Sequence, residues 1–450
     1  MPSPREEGSL LWRLVGSDAV SRVGDAVTIV CLPLTAVLVL DVSPAGLALI
    51  GAAQAVPILL LSLPAGALVD RRTQRWPILV AADLARAALM LAIPVAAICG
   101  VLSLPLLFAV AFGSAVAGTF FDVAFAGWLP RLLKGDTLHV ANARVELGRS
   151  VAIVSGPALG GVLVGLITAP LAILADAASF LVSGALITSV RGREPAWPAQ
   201  TERPPWREQL AAGVTFVVRQ PLIRAVHATA GINNGARAIA MSVALLYLVD
   251  DAHLSPAEIG IAFALGHTGY VAGAALSRRL TWRIGVGPTM QLGVSVFGPS
   301  MLAFALGPTE WAGALFTAMV FAHGFGISIH NVNQVTIRQL LTPDELRARV
   351  AAVTRLVIFG AMPLGTLAGG LIAELVGVRG AIVVGGAVLF AGSLPYLAAR
   401  VWRIKTIDGI EREGPAEAVR GQAKTRRNRG VRRPAVGTSP SARRWELPGD

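Results

Sequence analysis

The chain has 450 residues, of which 54% are hydrophobic and 15% are charged, and its mean hydropathy is +0.64. Soluble domains usually carry about a quarter charged residues, so this composition excludes a typical soluble protein. The net charge of +12 does not indicate nucleic-acid binding, because residues 403–450 alone hold twelve Arg or Lys against six Asp or Glu.

Twelve hydrophobic segments follow one another along the chain, each long enough to cross about 30 Å of hydrocarbon as a helix. Their apolar runs are continuous rather than alternating, which predicts helices and not barrel strands. The fold class expected is an all-α membrane protein with twelve transmembrane helices. The segments are 15–40, 45–68, 77–99, 103–126, 149–168, 170–190, 226–249, 256–276, 286–307, 311–333, 353–376 and 379–401.

Arg and Lys occupy every second gap between these segments, beginning with Arg71 and Arg72, and only Arg379 breaks the alternation. Short cytoplasmic loops retain basic residues during membrane insertion. We therefore expect the basic gaps and both termini to be cytoplasmic.

The gap after the sixth segment divides the chain into two halves. It is polar and rich in proline, and then Trp206, Leu210, Val214 and Val217 recur at helical spacing, which predicts a short amphipathic helix. The expected organisation is a six-helix bundle at 1–190, a cytoplasmic linker with this helix at 191–225, a second six-helix bundle at 226–402, and a disordered basic tail at 403–450 that rests on anionic lipid headgroups or is solvated.

The two halves repeat one another in order. GALVDRR at 66–72 matches GAALSRR at 273–279, and SPAGLAL at 43–49 matches SPAEIGI at 255–261. A Pro/Gly cluster at 156–161 likewise matches one at 363–370. This repetition predicts two pseudo-symmetric bundles with a binding site between them, the arrangement that alternating-access transporters use.

Charged residues inside the segments are costly in hydrocarbon and are candidates for function. Asp18, Arg22 and Asp25 share one face of the first helix. We hypothesise that Asp25 is the proton-coupling acid and that Arg22 stabilises its charged form until conformational change separates them. A permanent Arg22–Asp25 ion pair that holds the bundle together is the alternative. Asp122 is a second coupling candidate.

Other polar residues inside the segments have less specific interpretations. Asp83 and Arg86, three residues apart, predict an internal salt bridge more than a substrate contact. The histidines, such as His330, are expected to serve in packing or hydrogen bonding. Polar residues of the seventh and tenth segments are candidates for lining a cavity: Asn233, Asn234, Asn331 and Asn333.

The gap after the second segment contains Gly66, Asp70, Arg71 and Arg75. Gly66 would permit close helix approach, and Asp70 could accept bonds from helix-end amides or from a basic partner. This pattern resembles the loop signature of the major facilitator superfamily, although Thr73 stands where that family usually has Gly. The resemblance implies that the loop takes part in the conformational switch.

The fifth segment contains Gly156, Pro157, Gly160 and Gly161 in the form GPxxGG. Such a run bends a helix and lets it approach its neighbours closely. It resembles the antiporter signature of drug/proton exporters in the superfamily, although close packing alone would also account for the glycines. Together with SRVGDAVTIVCLPL, GTFFDVAFAGWLPRLL and LADAASFL, it resembles the bacterial subgroup of enterobactin exporters and macrolide efflux proteins.

The function predicted is a proton-coupled exporter of small amphipathic compounds such as drugs, antibiotics or siderophores, in the bacterial inner membrane. Its partners would be a small-molecule substrate, protons and membrane lipids, with no nucleic acid, metal or cofactor. The chain lacks a Walker loop and hydrolase motifs, so neither an ATP-driven pump nor an enzyme is expected. Alternatives are an uptake symporter or facilitator, a lipid translocator, and a non-transporting receptor or scaffold.

Overall fold

A computed structural model describes residues 4–194 and 206–405, and all regular elements in these ranges are helices. Eleven helical segments there are long and apolar enough to cross a membrane. The last of them, Glu345–Ala398, has 54 residues, and its backbone leaves the helical region at Gly377, where φ is 81°. Glycine tolerates this positive φ, so the chain can reverse here between two spans.

Packing confirms the reversal, which brings the number of spans to twelve. Gly369, before the break, lies against the backbone of Ile239, and Gly385, after the break, lies against Ala236 and Ala240. Residues on both sides of Gly377 thus meet the same stretch of the seventh span. The predicted number of transmembrane helices follows from this hairpin.

The first six spans form the N-terminal bundle. They comprise Pro4–Leu40, Pro44–Asp70, Trp76–Ile98, Leu104–Leu132, Gly135–Leu166, and a sixth span built from Ala169–Ala172 and Leu174–Ser189. The second span begins with Ser43 as its N-cap, whose side chain accepts a hydrogen bond from the Gly46 amide. Ser43 is followed by proline at the first helical position, where no amide hydrogen is needed.

The C-terminal bundle follows a surface helix at Trp206–Arg219. Its spans comprise Pro221–Leu246 with a π turn at Tyr247–Asp251, then Pro256–Ile284, Val286–Ser295 with Phe297–Leu306, Ala312–Leu341, and residues 344–376 and 378–398. Ser255 caps the eighth span in the same way as Ser43 caps the second, and adds a capping box with Glu258. The matching SPA sequences thus mark the start of equivalent helices.

Several helices extend beyond the segments that hydropathy predicts. The fifth starts at Gly135 rather than near 149, and the tenth ends at Leu341 rather than near 333. These extensions carry polar residues such as Asp136 and Arg338 at the predicted cytoplasmic face. Hydropathy detects only the part of a helix that lies in hydrocarbon, so it misses polar turns outside the membrane.

The surface helix packs beneath the start of the eleventh span. Val217 is buried with Val350 and Val353, and Gly213 lies against the backbone of Arg349. A helix thus occupies the stretch where the amphipathic helix is predicted, and one apolar face of it is covered by protein. The proline-rich stretch before it, at 195–205, and the tail from 406 lie outside the described residues.

The two bundles meet at the ends of the spans opposite the basic connectors, which is the predicted extracellular side. A Cβ at Gly260 in the eighth span would lie 2.7 Å from the carbonyl oxygen of Pro157 in the fifth. On the other side of the pseudo-twofold axis, Gly370 lies against Ala48, and Glu374 accepts a 3.3 Å hydrogen bond from the Ala45 amide. The structure is closed on this side.

Candidate transport site

A chain of charges links the first and fourth spans. Arg22 donates to Asp18 at 3.2 Å and to Asp122 at 2.9 Å. The Asp18 side chain is 1% exposed, whereas that of Asp122 is 58% exposed. Because charged side chains inside a membrane face water-filled space or the bundle interior, Arg22 joins a buried carboxylate to one that borders a cavity.

Asp25 pairs with Arg86 of the third span and not with Arg22, which corrects the expected partner. The reason lies in helix geometry, because side chains lean toward the N-terminus of their helix. Arg22 therefore reaches back to Asp18 and leaves Asp25 to a neighbouring span. Arg86 also lies over the ring of Phe180, with its guanidinium carbon 3.8 Å from the ring centre.

The predicted Asp83–Arg86 salt bridge is absent because Arg86 has turned toward Asp25. Both carboxylate oxygens of Asp83 are buried without an ion-pair partner among the described residues, and their polar neighbour is the side chain of Ser183. Asp176 of the sixth span is also buried, and it accepts hydrogen bonds from Thr28 at 2.5 Å and from Ser179 at 3.2 Å. A side chain at Gly24 would collide with Asp176 and Ser179, so this glycine allows the sixth span to pack closely against the first.

The charges of these spans therefore form one cluster with an excess of acids. The structure places Asp83, Asp176 and Arg86 within electrostatic range of Asp25. Counting Arg22, Arg86 and the exposed Arg149, which lies within electrostatic range of Asp18, against five aspartates leaves two carboxylates in excess. Members of this cluster are Asp18, Arg22, Asp25, Asp83, Arg86, Asp122 and Asp176.

The connector between the second and third spans is fixed by ion pairs and hydrogen bonds. Asp70 pairs with Arg75 at 2.8 Å, and the guanidinium of Arg75 lies against Gly127 of the fourth span. Arg71 and Arg72 are exposed, as expected for a positively charged turn. The predicted close approach at Gly66 is wrong for this conformation, since nothing lies within 4 Å of a Cβ built there.

Glu194 is a residue of this region that sequence reasoning missed. It is 6% exposed, accepts hydrogen bonds from the amides of Arg75 and Trp76 at 2.8–3.0 Å, and pairs with Arg131 at 3.5 Å. A carboxylate at a helix N-terminus satisfies free amides and complements the helix dipole. The only sequence signal was an acid among the arginines of RGRE at 191–194.

The GPxxGG glycines contact two different partners. Gly156 and Gly160 lie against Ala26 and Val27 of the first span, within the same bundle, whereas Gly161 lies against Pro256 and Gly260 of the other bundle. The repeat in the eleventh span divides in the same way, since Gly365 and Gly369 face the seventh span and Gly370 faces the second. One glycine in each motif therefore lies at the contact between the bundles.

Two of the four asparagines predicted to line a cavity are buried inside the C-terminal bundle. Asn233 lies against Gly392 of the twelfth span, and Asn333 accepts a 3.1 Å hydrogen bond from Thr281 of the eighth. The cavity-lining prediction is wrong for these two because both side chains are buried, although the Asn233 Oδ1 has no hydrogen-bond partner among the described residues. Asn234 is half-buried and Asn331 is exposed, so their role stays a prediction. His330 contacts the Tyr396 hydroxyl at 2.7 Å.

Comparison with known proteins identifies relatives over most of the chain. A family model described as a transmembrane secretion effector matches residues 12–431. The multidrug efflux pump Tap of Mycolicibacterium fortuitum is 28% identical over 87% of this chain and 94% of its own. The enterobactin exporter EntS of Citrobacter koseri is 31% identical over 60% of this chain and 63% of its own.

A solved structure shares the fold. It is a bacterial homologue of the iron transporter ferroportin in the inward-facing state, with a TM-score of 0.72, 16% identity, and coverage of 88% of this chain and 99% of the other. At this identity the likeness concerns architecture alone.

Proposed function

The chain belongs to the transmembrane secretion effector family of the major facilitator superfamily, and is thus a multi-pass membrane transporter. On that premise we propose that it is a proton-coupled antiporter that exports small amphipathic compounds, such as drugs, antibiotics or siderophores, from the bacterial cytoplasm. Two bundles that alternately open on either side would provide the route. The termini and basic connectors would face the cytoplasm.

The excess of two carboxylates over arginines in and around this acidic cluster carries the proposal for protons. An ionised carboxylate without a cation costs at least about 2.5–3.5 kcal/mol near the centre of a membrane helix. Asp83 and Asp176 make no ion pair with any described residue, so binding a proton removes this cost. A cluster that binds protons in one conformation and releases them in another is suited to coupling proton movement to transport.

Asp25 is the best-placed exchange group because it is paired and also accessible. Its side chain is 36% exposed, while that of its partner Arg86 is 8% exposed. Protonation of Asp25 would leave Arg86 without its counter-ion, and Arg86 would then favour another carboxylate of the cluster. Such an exchange links proton binding to the packing of the first span against the third.

Export rather than uptake is supported by what the similar proteins do. Tap is a multidrug efflux pump and EntS is an enterobactin exporter. The match to EntS covers less than two thirds of this chain. The exposed apolar side chains Leu147 and Val151 on the fifth span could contact an amphipathic cargo. The Gly161–Gly260 contact supports the antiporter interpretation of the GPxxGG motif by placing it where the bundles must part.

Transport in an efflux-deficient bacterial host tests this function. Cells that express the chain should accumulate less of at least one member of a panel of antibiotics and dyes, and a proton uncoupler should abolish the difference. Everted membrane vesicles should take up the same compound and release protons from their lumen. Accumulation that rises on expression would favour uptake, and unchanged accumulation of every compound at normal membrane levels would contradict transport of this class.

Deletion of residues 406–450 separates export from the receptor or scaffold alternative. An exporter whose site lies between the bundles should retain most of its activity without this basic tail. The measurement is vesicle uptake of the compound identified above, at matched protein levels. Loss of activity in the truncated protein would indicate that the tail, and not the pair of bundles, is the functional part of the molecule.

A further inference from the structure

A small cavity of about 90 Å³ lies inside the C-terminal bundle. It is distinct from the acidic cluster, which belongs to the other bundle. Five spans line it, and its polar lining consists of Arg237, His267, Tyr270, Ser300 and His323. The rings of Phe263 and Phe297 and five aliphatic or methionine side chains form the apolar part of the wall.

Arg237 provides a positive charge to this cavity without a neighbouring acid. It takes part in none of the ion pairs or side-chain hydrogen bonds found among the described residues. Between Asp251 and Asp344 the sequence contains just two acids, Glu258 and Glu310, and both lie at the extracellular ends of their helices. A guanidinium inside a membrane bundle is costly without a counter-ion, so this cavity favours an anion.

The groups around Arg237 can also donate hydrogen bonds. His267, Tyr270 and His323 are each within electrostatic range of it. The ring centres of His267 and Tyr270 are 5.8 Å apart, and those of Tyr270 and His323 are 6.3 Å apart. His267 has a buried ring nitrogen, Nδ1, without a partner among the described residues. The arrangement combines a cation, ring N–H and O–H donors, and aromatic walls.

The position of the cavity places it next to the closed contact between the bundles. Phe263, one turn beyond Gly260, packs against the hydrophobic clusters of both bundles. His267 and Tyr270 follow on the same face of the eighth span at helical spacing. A group bound here would therefore lie beneath the contact that must open for release.

We propose that this cavity is a subsite for the anionic group of an aromatic carboxylate, a proposal that rests on the export function above and names a class of its cargo. Arg237 binds the carboxylate, and Phe263, Tyr270 and Phe297 contact the adjoining ring. A drug-sized molecule needs about 300–1,000 Å³, so the subsite holds the charged end and the remainder stays between the bundles.

Binding of benzoate and of its neutral isostere benzamide to the purified full chain tests the proposal. Calorimetric titration should show benzoate bound about tenfold more tightly than benzamide, since hydrogen bonds to charged groups contribute more than neutral ones. Arg237→Gln should weaken benzoate binding about tenfold and leave benzamide unchanged, and Arg237→Lys should retain part of the preference. Arg278→Gln, which removes an exposed charge from the eighth span, should bind both compounds as the wild type does.

Equal binding of benzoate and benzamide by the wild type would overturn the subsite, and so would full benzoate affinity in Arg237→Gln. If that variant fails to fold, Tyr270→Phe keeps the ring and should still weaken benzoate binding severalfold. Export of a neutral compound from the panel above is measured in parallel. If the neutral compound is exported but the protein shows no preference for the carboxylate, only this inference is wrong. If the wild type does not export the neutral compound, the export function is contradicted.

Discussion

Buried charges in this transporter are arranged by the direction in which side chains leave their helices. Arg22 and Asp25 are only three residues apart, yet Arg22 binds Asp18, toward the N-terminus, and Asp122 on another span. Asp25 is thereby left to Arg86, which lies across the bundle. The residue that we propose to exchange protons is thus paired with a different helix, so its protonation can change how two helices pack.

Asp25→Asn should abolish proton-dependent export and lower the stability of the protein. The double variant Asp25→Asn/Arg86→Gln should recover the stability but not the proton coupling. Removing one partner of a fully buried pair costs about 3–5 kcal/mol, whereas replacing both partners is often nearly neutral, and the 36% exposure of Asp25 makes the loss expected here smaller. Thermal unfolding in detergent and proton release from vesicles measure the two effects separately. Asp41→Asn, a loop carboxylate outside the cluster, is the control. Proton-coupled export by the double variant would show that the Asp25–Arg86 pair has only a structural role.

A single methyl group at Gly161 should hinder closure on the predicted extracellular side. A Cβ there would collide with the Pro256 carbonyl oxygen and lie 2.8 Å from the Gly260 Cα, and overpacking costs about 1–3 kcal/mol. Gly161→Ala should therefore lower the population of the cytoplasm-open state and reduce export about tenfold. Gly165→Ala is the matched control, because its Cβ would lie 3.8 Å from Ala257. Equal export by the two variants would argue against this contact.

At the scale of elements, the connector between the second and third spans is held by contacts from other parts of the N-terminal bundle. Glu194 follows the sixth span and binds the start of the third, so it holds two helix ends and the Asp70–Arg75 turn together. Its pairing with Arg131 adds the end of the fourth span. The superfamily-like loop is therefore held by a carboxylate from outside its own sequence motif.

Glu194→Gln should lower the melting temperature of the purified transporter and slow transport. Replacing a charged acceptor that serves two backbone amides costs about 1.5–3 kcal/mol. Differential scanning fluorimetry measures the stability, and vesicle uptake measures the rate. Glu146→Gln, at an exposed position of the fifth span, changes the same group without these contacts. A melting temperature equal to that of Glu146→Gln would show that Glu194 does not fix the connector.

Across the whole molecule, the internal repeat produces two equivalent contacts between the bundles. The fifth span meets the eighth at Gly161 and Gly260, and the eleventh meets the second at Gly370 and Ala48. These contacts close one side of the transporter, while a Cβ at Gly66, near the other side, would meet no atom of the described residues within 4 Å. We expect export to require that both contacts separate together, since each bundle moves as a packed unit.

A disulfide across one of these contacts should lock the state in which the predicted extracellular side is closed. A Cβ at Gly51 would lie 2.9 Å from Thr366 Cγ2, so Gly51→Cys/Thr366→Cys can be bridged after a small adjustment. With the exposed Cys99 replaced by serine, oxidation should stop export and a reducing agent should restore it. Each single cysteine variant is a control. Undiminished export by the cross-linked protein would contradict alternating access through this interface.

The sequence by itself determined the helices, their number and their duplication. Hydrocarbon leaves a backbone no partners except its own helix, so composition and length suffice to locate the spans. The repeated SPA and glycine motifs similarly marked equivalent positions, because Ser43 and Ser255 cap their helices by local hydrogen bonds. Helix ends were predicted less well where polar turns continue outside the membrane, as at Gly135.

Only the tertiary structure decided which side chains meet. Arg86 binds Asp25 and not Asp83, and Asn333 binds Thr281 instead of facing a cavity, because partners on other helices compete with those nearby in sequence. Glu194 and Arg237 carry no motif, and their environments come from spans distant along the chain. Local rules act within a few residues, whereas a charge inside a membrane is satisfied by whichever helix the fold brings beside it.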